Sequence, residues 1–196
     1  MPPWQFANVN RESPKELPTE FTIVVPPKTD VWRKPPKTDV FTAPILYQKR
    51  TVSTFDKARV VVTADWKTLH DHGGLIIVFL QDGDPVKWIT SGITYVNSQA
   101  TVATVATEKW ADWSLMPLPH DHGQTVTVEM NRKGPSLFVH FVEGIEKTVI
   151  REVTWAFADE NEEQEIWVGV YAARPNEVAE DEKKDLEVTF SHLIIE

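Results

Sequence analysis

Two copies of one tetrapeptide hold four of the chain's six histidines: His70-Asp71-His72-Gly73 and His120-Asp121-His122-Gly123. Side chains two apart on an extended strand point the same way, so a pair of imidazoles and a carboxylate could meet at a divalent cation, or one imidazole could act as a general acid or base. Both copies, however, end in Gly between strand-like segments and contain Asp, the composition of exposed turns, and the turn is the preferred reading. Asp82-Gly83-Asp84 lacks the rest of a calcium-binding loop and also reads as a turn. No metal and no cofactor is expected. The chain has no Cys, which excludes disulfides and thiolate metal sites. A nucleophile elbow, a Gly-rich phosphate loop, a paired-His zinc helix and a dinucleotide fingerprint are all missing. A retaining glycosidase needs two carboxyl groups about 5 Å apart. No central strand offers such a pair; Glu163 and Glu165 have the spacing but lie in an acidic run.

Aromatic side chains offer a second kind of chemistry. Along 87–95, Trp88, Thr90, Gly92 and Thr94 share one face, with Ile89, Ser91, Ile93 and Tyr95 on the other. Along 165–172, Trp167, Gly169 and Tyr171 lie opposite Ile166, Val168 and Val170. A Gly inside a strand marks close approach of a ligand or of another chain segment. A face of Trp, Thr, Gly and Tyr suits a ring-bearing ligand, because rings stack on flat apolar surfaces while hydroxyls give directional bonds. The alternative is that these Trp pack beneath a neighbouring loop.

The elements that must position these residues are strands. Period-two alternation and β-branched runs recur at 21–25, 45–48, 58–64, 75–80, 87–95, 101–107, 125–131, 136–142, 148–157, 165–172 and 186–195, and no window shows a clean helical period. Such a pattern predicts an all-β sandwich in one domain over 1–196. The unbroken run Leu75-Ile76-Ile77-Val78-Phe79-Leu80 predicts a central strand covered on both faces. Arg132-Lys133-Gly134-Pro135 reads as a hairpin turn. The repeat Pro26-Pro27-Lys28-Thr29-Asp30-Val31 and Pro35-Pro36-Lys37-Thr38-Asp39-Val40 is rich in Pro and predicts an edge or a long loop.

Composition narrows the partners. The 196 residues carry 20 Lys and Arg against 29 Asp and Glu, a net charge of -9, which argues against binding a nucleic-acid backbone over the whole surface. Residues 28–59 are net basic, whereas 159–165 and 180–185 are strongly acidic and read as solvated loops. The longest apolar run falls far short of the roughly 20 residues of a membrane span, and no leader pattern opens the chain, so no membrane is engaged and a cytoplasmic location is expected.

Five segments in order carry a likeness to a known family: Thr29-Asp30-Val31-Trp32-Arg33; Trp66-Lys67-Thr68-Leu69 followed by Gly73-Gly74-Leu75; Trp88-Ile89 with Gly92-Ile93; Trp113-Ser114 with Pro117-Leu118; and Val168-Gly169-Val170-Tyr171-Ala172-Ala173. Over nearly the whole chain this resembles the regulation-of-enolase-like family. Phe41-Thr42-Ala43-Pro44 and Arg151-Glu152-Val153-Thr154-Trp155-Ala156-Phe157 look closest to its fungal branch. The resemblance implies a concanavalin A-like jelly-roll sandwich of two antiparallel sheets, one concave. Members usually carry Lys and Glu where Thr90 and Thr94 stand, so the resemblance implies a less polar ligand for this chain.

Three functions follow as expectations. The first is a non-catalytic module that binds a small molecule, a sugar or another ring-containing ligand, on a concave face built from Trp32, Arg33, Trp88, Thr90, Thr94, Trp113, Trp167 and Tyr171. The second is a motif-less enzyme such as a cyclase or isomerase acting on a hydrophobic metabolite, with Asp30, Arg33, His70, Asp112 and His140 as the acid/base candidates. The third is a regulator that docks a protein partner through the basic Pro segment or the acidic loops.

Overall fold

A computed structural model describes residues 2–119, 122–158, 161–178 and 184–196. In chain order its strands are β1 (Trp4–Ala7), β2 (Glu20–Val25), β3 (Val31–Lys34), β4 (Thr38–Phe41), β5 (Ile45–Thr51), β6 (Lys57–Ala64), β7 (His72–Gln81) and β8 (Asp84–Val96). They continue with β9 (Gln99–Thr107), β10 (Ala111–Pro117), β11 (Thr125–Lys133), β12 (Ser136–Glu143), β13 (Glu146–Val153), β14 (Glu165–Ala173) and β15 (Leu186–Ile195). A seven-stranded sheet runs β1-β5-β14-β7-β8-β9-β10, and a six-stranded sheet runs β13-β12-β11-β6-β15-β2. Every pairing within them is antiparallel, giving the jelly-roll sandwich that alternation and resemblance predict.

The main core lies between the sheets, where Val60, Val62, Val126, Val128, Met130, Val139 and Phe141 face Leu75, Ile77, Phe79, Ile89, Ile93, Val168 and Val170. A second core lies on the outer face of the seven-stranded sheet, where Ile45, Tyr47, Ile76, Val78, Trp88 and Tyr171 pack with Val31, Phe41 and Ala43. These two cores explain the unbroken apolar run. β7 is the middle strand of its sheet, its odd positions Leu75, Ile77 and Phe79 serve the first core, and Ile76 and Val78 serve the second. Fully burying each such side chain contributes about 1.5–3 kcal/mol, so alternation is abandoned where both faces are dry.

The Pro-rich repeat stays out of both large sheets, as expected: 26–30 precede β3, Pro35-Pro36-Lys37 make the turn before β4, and β3 and β4 are each an edge strand. β3 and β4 pair as a separate hairpin, in register Val31 with Phe41 and Arg33 with Asp39, and it lies over the second core. The strand expected over 148–157 ends at Val153; beyond it a turn carries Trp155, Ala156 and Phe157 into the main core. Between β11 and β12 the expected turn forms at Gly134, whose φ of 59° needs no Cβ. Residues 159–160 and 180–183, parts of the two acidic runs, lie outside the described residues. In the described remainder Glu162 pairs with Arg132 at 2.7 Å and Glu165 with Lys49 at 2.9 Å. The basic stretch is likewise engaged within the chain: Lys28 meets Glu177 at 2.5 Å, Arg33 meets Asp39 at 3.0 Å and Lys57 meets Glu196 at 2.9 Å.

Candidate functional site

Ladder partners share a face, so the register lays rows of side chains across the outer face of the seven-stranded sheet. One row is Trp167, Val78, Trp88 and Thr107; the next holds Tyr47, Gly169, Ile76, Thr90, Val105 and Trp113; the last holds Ala173, His72, Thr94 and Thr101. The face inferred from alternation is therefore assembled, but its glycines answer to the neighbouring strand. A Cβ on Gly169 would sit 2.0 Å from the Leu46 carbonyl oxygen, and one on Gly92 would sit 2.0 Å from that of Gly73. Between these rows Gly74 pairs with Gly92 on one side and with Tyr171 on the other.

The β3–β4 hairpin splits this face. Arg33 places its guanidinium 4.5 Å from the Trp88 ring centre, donates to the Val86 carbonyl at 2.8 Å and donates to Asp39 at 3.0 Å. Phe41 packs on Trp88 from the other hairpin strand, with ring centres 5.1 Å apart, and Trp88 is left with no exposed surface. On one side of the hairpin is a shallow depression where Trp167, stacked on Tyr47 at 4.3 Å, meets Phe41, Asp39 and Pro85. On the other side is a basin of about 450 Å³ lined by Asp30, Val31, Trp32, Lys34, His70, His72, Thr94, Val105, Trp113, Pro175 and Asn176.

Trp32 and Trp113 meet edge to face at 6.0 Å, and His70 meets Trp113 in the same manner at 6.2 Å. On the basin floor is a chain of hydrogen bonds. The Asp30 Oδ1 atom accepts from the Val31 backbone N–H at 2.8 Å and from His72 Nε2 at 3.1 Å. His72 Nδ1 lies 3.0 Å from the Tyr171 hydroxyl, which also bonds to Thr90. Burial pushes the Tyr171 phenol well above its ordinary range, so it stays protonated. With Asp30 ionised, Nε2 carries the imidazole proton and Nδ1 accepts from Tyr171, which in turn accepts from Thr90. The His72 ring nitrogens and the Tyr171 hydroxyl are then all hydrogen-bonded.

The walls share one anchor. Asp71 precedes β7 and Arg174 follows β14, one step beyond the ladder pair His72 with Ala173, so the register itself brings them together. Arg174 donates Nε to Asp71 Oδ1 at 2.9 Å and Nη2 to Oδ2 at 2.6 Å, and the two side chains are 5% and 0% exposed. Backbone bonds between Arg174 and Thr29 tie the segment before Asp30 to the same point. The clamp thereby fixes His70 and His72 on one side, Pro175 and Asn176 on another, and Asp30 on a third.

Of the residues singled out from sequence, Asp30, Trp32, His70, Thr94 and Trp113 line the basin, and Thr90 and Tyr171 lie beneath it. Arg33 and Trp88 hold the hairpin down, and Trp167 lies across it. Asp112 points away and meets Arg151 at 2.5 Å. His140 is on the outer face of the six-stranded sheet opposite Glu129, 6% exposed, its pKa lowered by burial. His72 was hidden by the turn reading: it opens β7, and stepping back by twos from Val78 and Ile76 puts it on the aromatic face. His70, with φ 67°, does belong to the turn. His120 and Asp121 fall outside the described residues, while His122 meets Glu143 at 2.8 Å. Among the described residues no group of three or more His, Asp or Glu is placed to hold a metal ion, and no helix is long and apolar enough to cross a membrane.

Fold and site together define a concanavalin A-like jelly roll whose outer face is partitioned by a hairpin into an aromatic basin and a shallow depression. The chain belongs to the family described as "Protein of unknown function (DUF1349)", matched over residues 7–196. It is 44% identical over 193 residues to an uncharacterized protein of Emericella nidulans, covering 97% of this chain and 94% of that one. A functionally unknown protein from Saccharomyces cerevisiae has a similar structure, with a TM-score of 0.78 at 19% identity over 98% of this chain and 95% of that one. The catalytic domain of an endo-1,3-beta-glucanase (laminarinase) from Thermotoga petrophila shares the fold at a TM-score of 0.55 and 10% identity, covering 83% of this chain and 74% of that one.

Proposed function

We propose that this protein binds a small ring-bearing molecule, a sugar or another cyclic metabolite, in the basin between the hairpin and β8–β10. The observation that carries this reading is the edge-to-face pair Trp32 and Trp113 standing over a floor of Asp30, His72 and Thr94. A ring set against the indoles buries its apolar face, while the floor supplies one carboxylate acceptor and hydroxyl and imidazole groups to fix its orientation. At about 450 Å³ the space lies within the ordinary range of ligand sites, about 300–1,000 Å³. The resemblance to regulation-of-enolase-like proteins agrees with a ligand drawn from central or secondary metabolism, and the laminarinase domain offers a precedent for carbohydrate recognition on this fold.

The test is a titration of intrinsic Trp fluorescence, backed by calorimetry, with a panel of mono- and disaccharides and aromatic bicyclic metabolites. A saturable response is expected in the natural chain and in Trp167→Ala, and its loss in Trp113→Ala. A flat response across the panel, or an undiminished one in Trp113→Ala, overturns the proposal.

A further inference from the structure

We infer that the basin transfers protons as well as binding: the Asp30 carboxylate removes and returns a proton next to the carbonyl of a ring ketone, interconverting keto and enol forms. This rests on the ligand-binding reading above.

Three observations carry it. First, among the described residues Asp30 is the only acid that lines the basin, so the carboxyl pair of glycoside hydrolysis is not assembled by them, although other proteins of this fold cleave glycosidic bonds. A lone carboxylate suits proton abstraction followed by return of the same proton. Second, Asp30 is held and presented as a base. Its Oδ1 is fixed by the Val31 N–H and His72, Oδ2 has no hydrogen bond among the described residues, and its side chain is 24% exposed against 14% for His72. Third, the support behind Asp30 is continuous: His72 bonds Asp30 through Nε2 and Tyr171 through Nδ1, and Tyr171 bonds Thr90 in turn. The carboxylate is thereby held from behind by a buried network while its other oxygen faces the basin.

The step balances without an oxidant or co-reactant. The ligand's C–H bond breaks as an O–H bond forms on Asp30 Oδ2, and the electron pair moves through the new C=C bond onto the carbonyl oxygen. The Lys34 ammonium and the Asn176 amide on the same walls can stabilise that oxygen. Return of the proton to the same carbon restores the ketone, and its return to a conjugated carbon gives an isomer. Asp30 is the catalytic residue; His72 and Tyr171 position it.

The test is solvent deuterium incorporation into 1-tetralone, 2-tetralone and 4-chromanone, followed by proton NMR in D2O, with Trp fluorescence recorded on the same samples to report binding. Exchange of the α-protons in the natural protein is expected to exceed that with Asp30→Asn by about 10²-fold, the lower end of general-base contributions, with each protein compared at the saturating probe concentration that its own fluorescence titration defines. Tyr171→Phe should lower the rate at saturating probe and leave the half-saturating concentration unchanged, a split that loss of fold would not give. Binding without exchange above the Asp30→Asn level overturns proton transfer and leaves the binding proposal standing. Absence of binding by these ketones overturns the present inference, and only a flat response across the sugar and metabolite panel as well overturns the binding proposal.

Discussion

Replacing Asp71 by Ala tests whether the buried clamp, rather than the basin's own lining, sets the site's geometry. The side chain removed is fully buried, and its carboxylate holds the Arg174 guanidinium through two contacts at 2.6 and 2.9 Å. An exposed ion pair is worth at most about 1 kcal/mol, but stripping one partner from a buried pair costs about 3–5 kcal/mol. For a chain of this size each kcal/mol lowers the melting temperature by about 2–4 °C, so Asp71→Ala should melt about 10 °C lower. The double variant Asp71→Leu with Arg174→Met removes both charges and should regain most of that loss, since apolar replacements of similar volume are commonly neutral. Thermal unfolding by circular dichroism, with urea unfolding as a second probe, reads both numbers. A single-variant cost below about 1 kcal/mol, or a double variant no better than the single, would show that the clamp behaves as a surface pair and refute the reasoning. The stability-restored double variant should still give a weakened ligand response, because Thr68 and the His70–His72 segment lose the Asp71 carboxylate that anchors them.

Three other outcomes follow from named geometry. Gly169→Ala drives a Cβ into the Leu46 carbonyl in a central strand and should cost about 3 kcal/mol in urea unfolding, whereas a wild-type midpoint would contradict the close approach. Trp88→Ala empties the space under Arg33 and Phe41 and should cost about 3–5 kcal/mol, while Trp113→Ala, half-buried at the basin wall, should cost far less and act on ligand response instead. Burial lowers the His140 pKa below its unfolded value near 6.5, so the unfolded chain binds the proton more readily; stability should fall as pH drops through that value, and His140→Phe should flatten the slope between pH 7 and 5.

The sandwich was legible because its long strands alternate. β6, β8, β9, β11, β12, β14 and β15 each bury every second residue in the main core, and the departure at Leu75–Leu80 was itself informative. β1, β3, β4 and β10 escaped notice for a common reason: they are short or flank the sheets, and their side chains are half-buried without a period, as in Ala111–Pro117. Alternation also put Trp88, Thr90, Thr94, Trp167 and Tyr171 on one face. It could not show that a hairpin 50 residues away in sequence covers Trp88, since Arg33 reaches Val86 and Trp88 only through the fold. The pairing of His72 with Asp30 and Tyr171 joins residues 42 and 99 apart, and no local signal carries such a contact.

The hairpin over Trp88 also limits length. In an uninterrupted sheet of this kind, a polymer could lie across all seven strands and be gripped at successive units. Here such a chain would meet Arg33 and Phe41 midway, both of them pinned to the sheet beneath. What enters the basin must stop there. For the proposed binding role the architecture would favour free molecules or the last unit of a chain, discriminating by ends rather than by repeats, and the eleven residues 31–41 are enough to close what would otherwise be a groove.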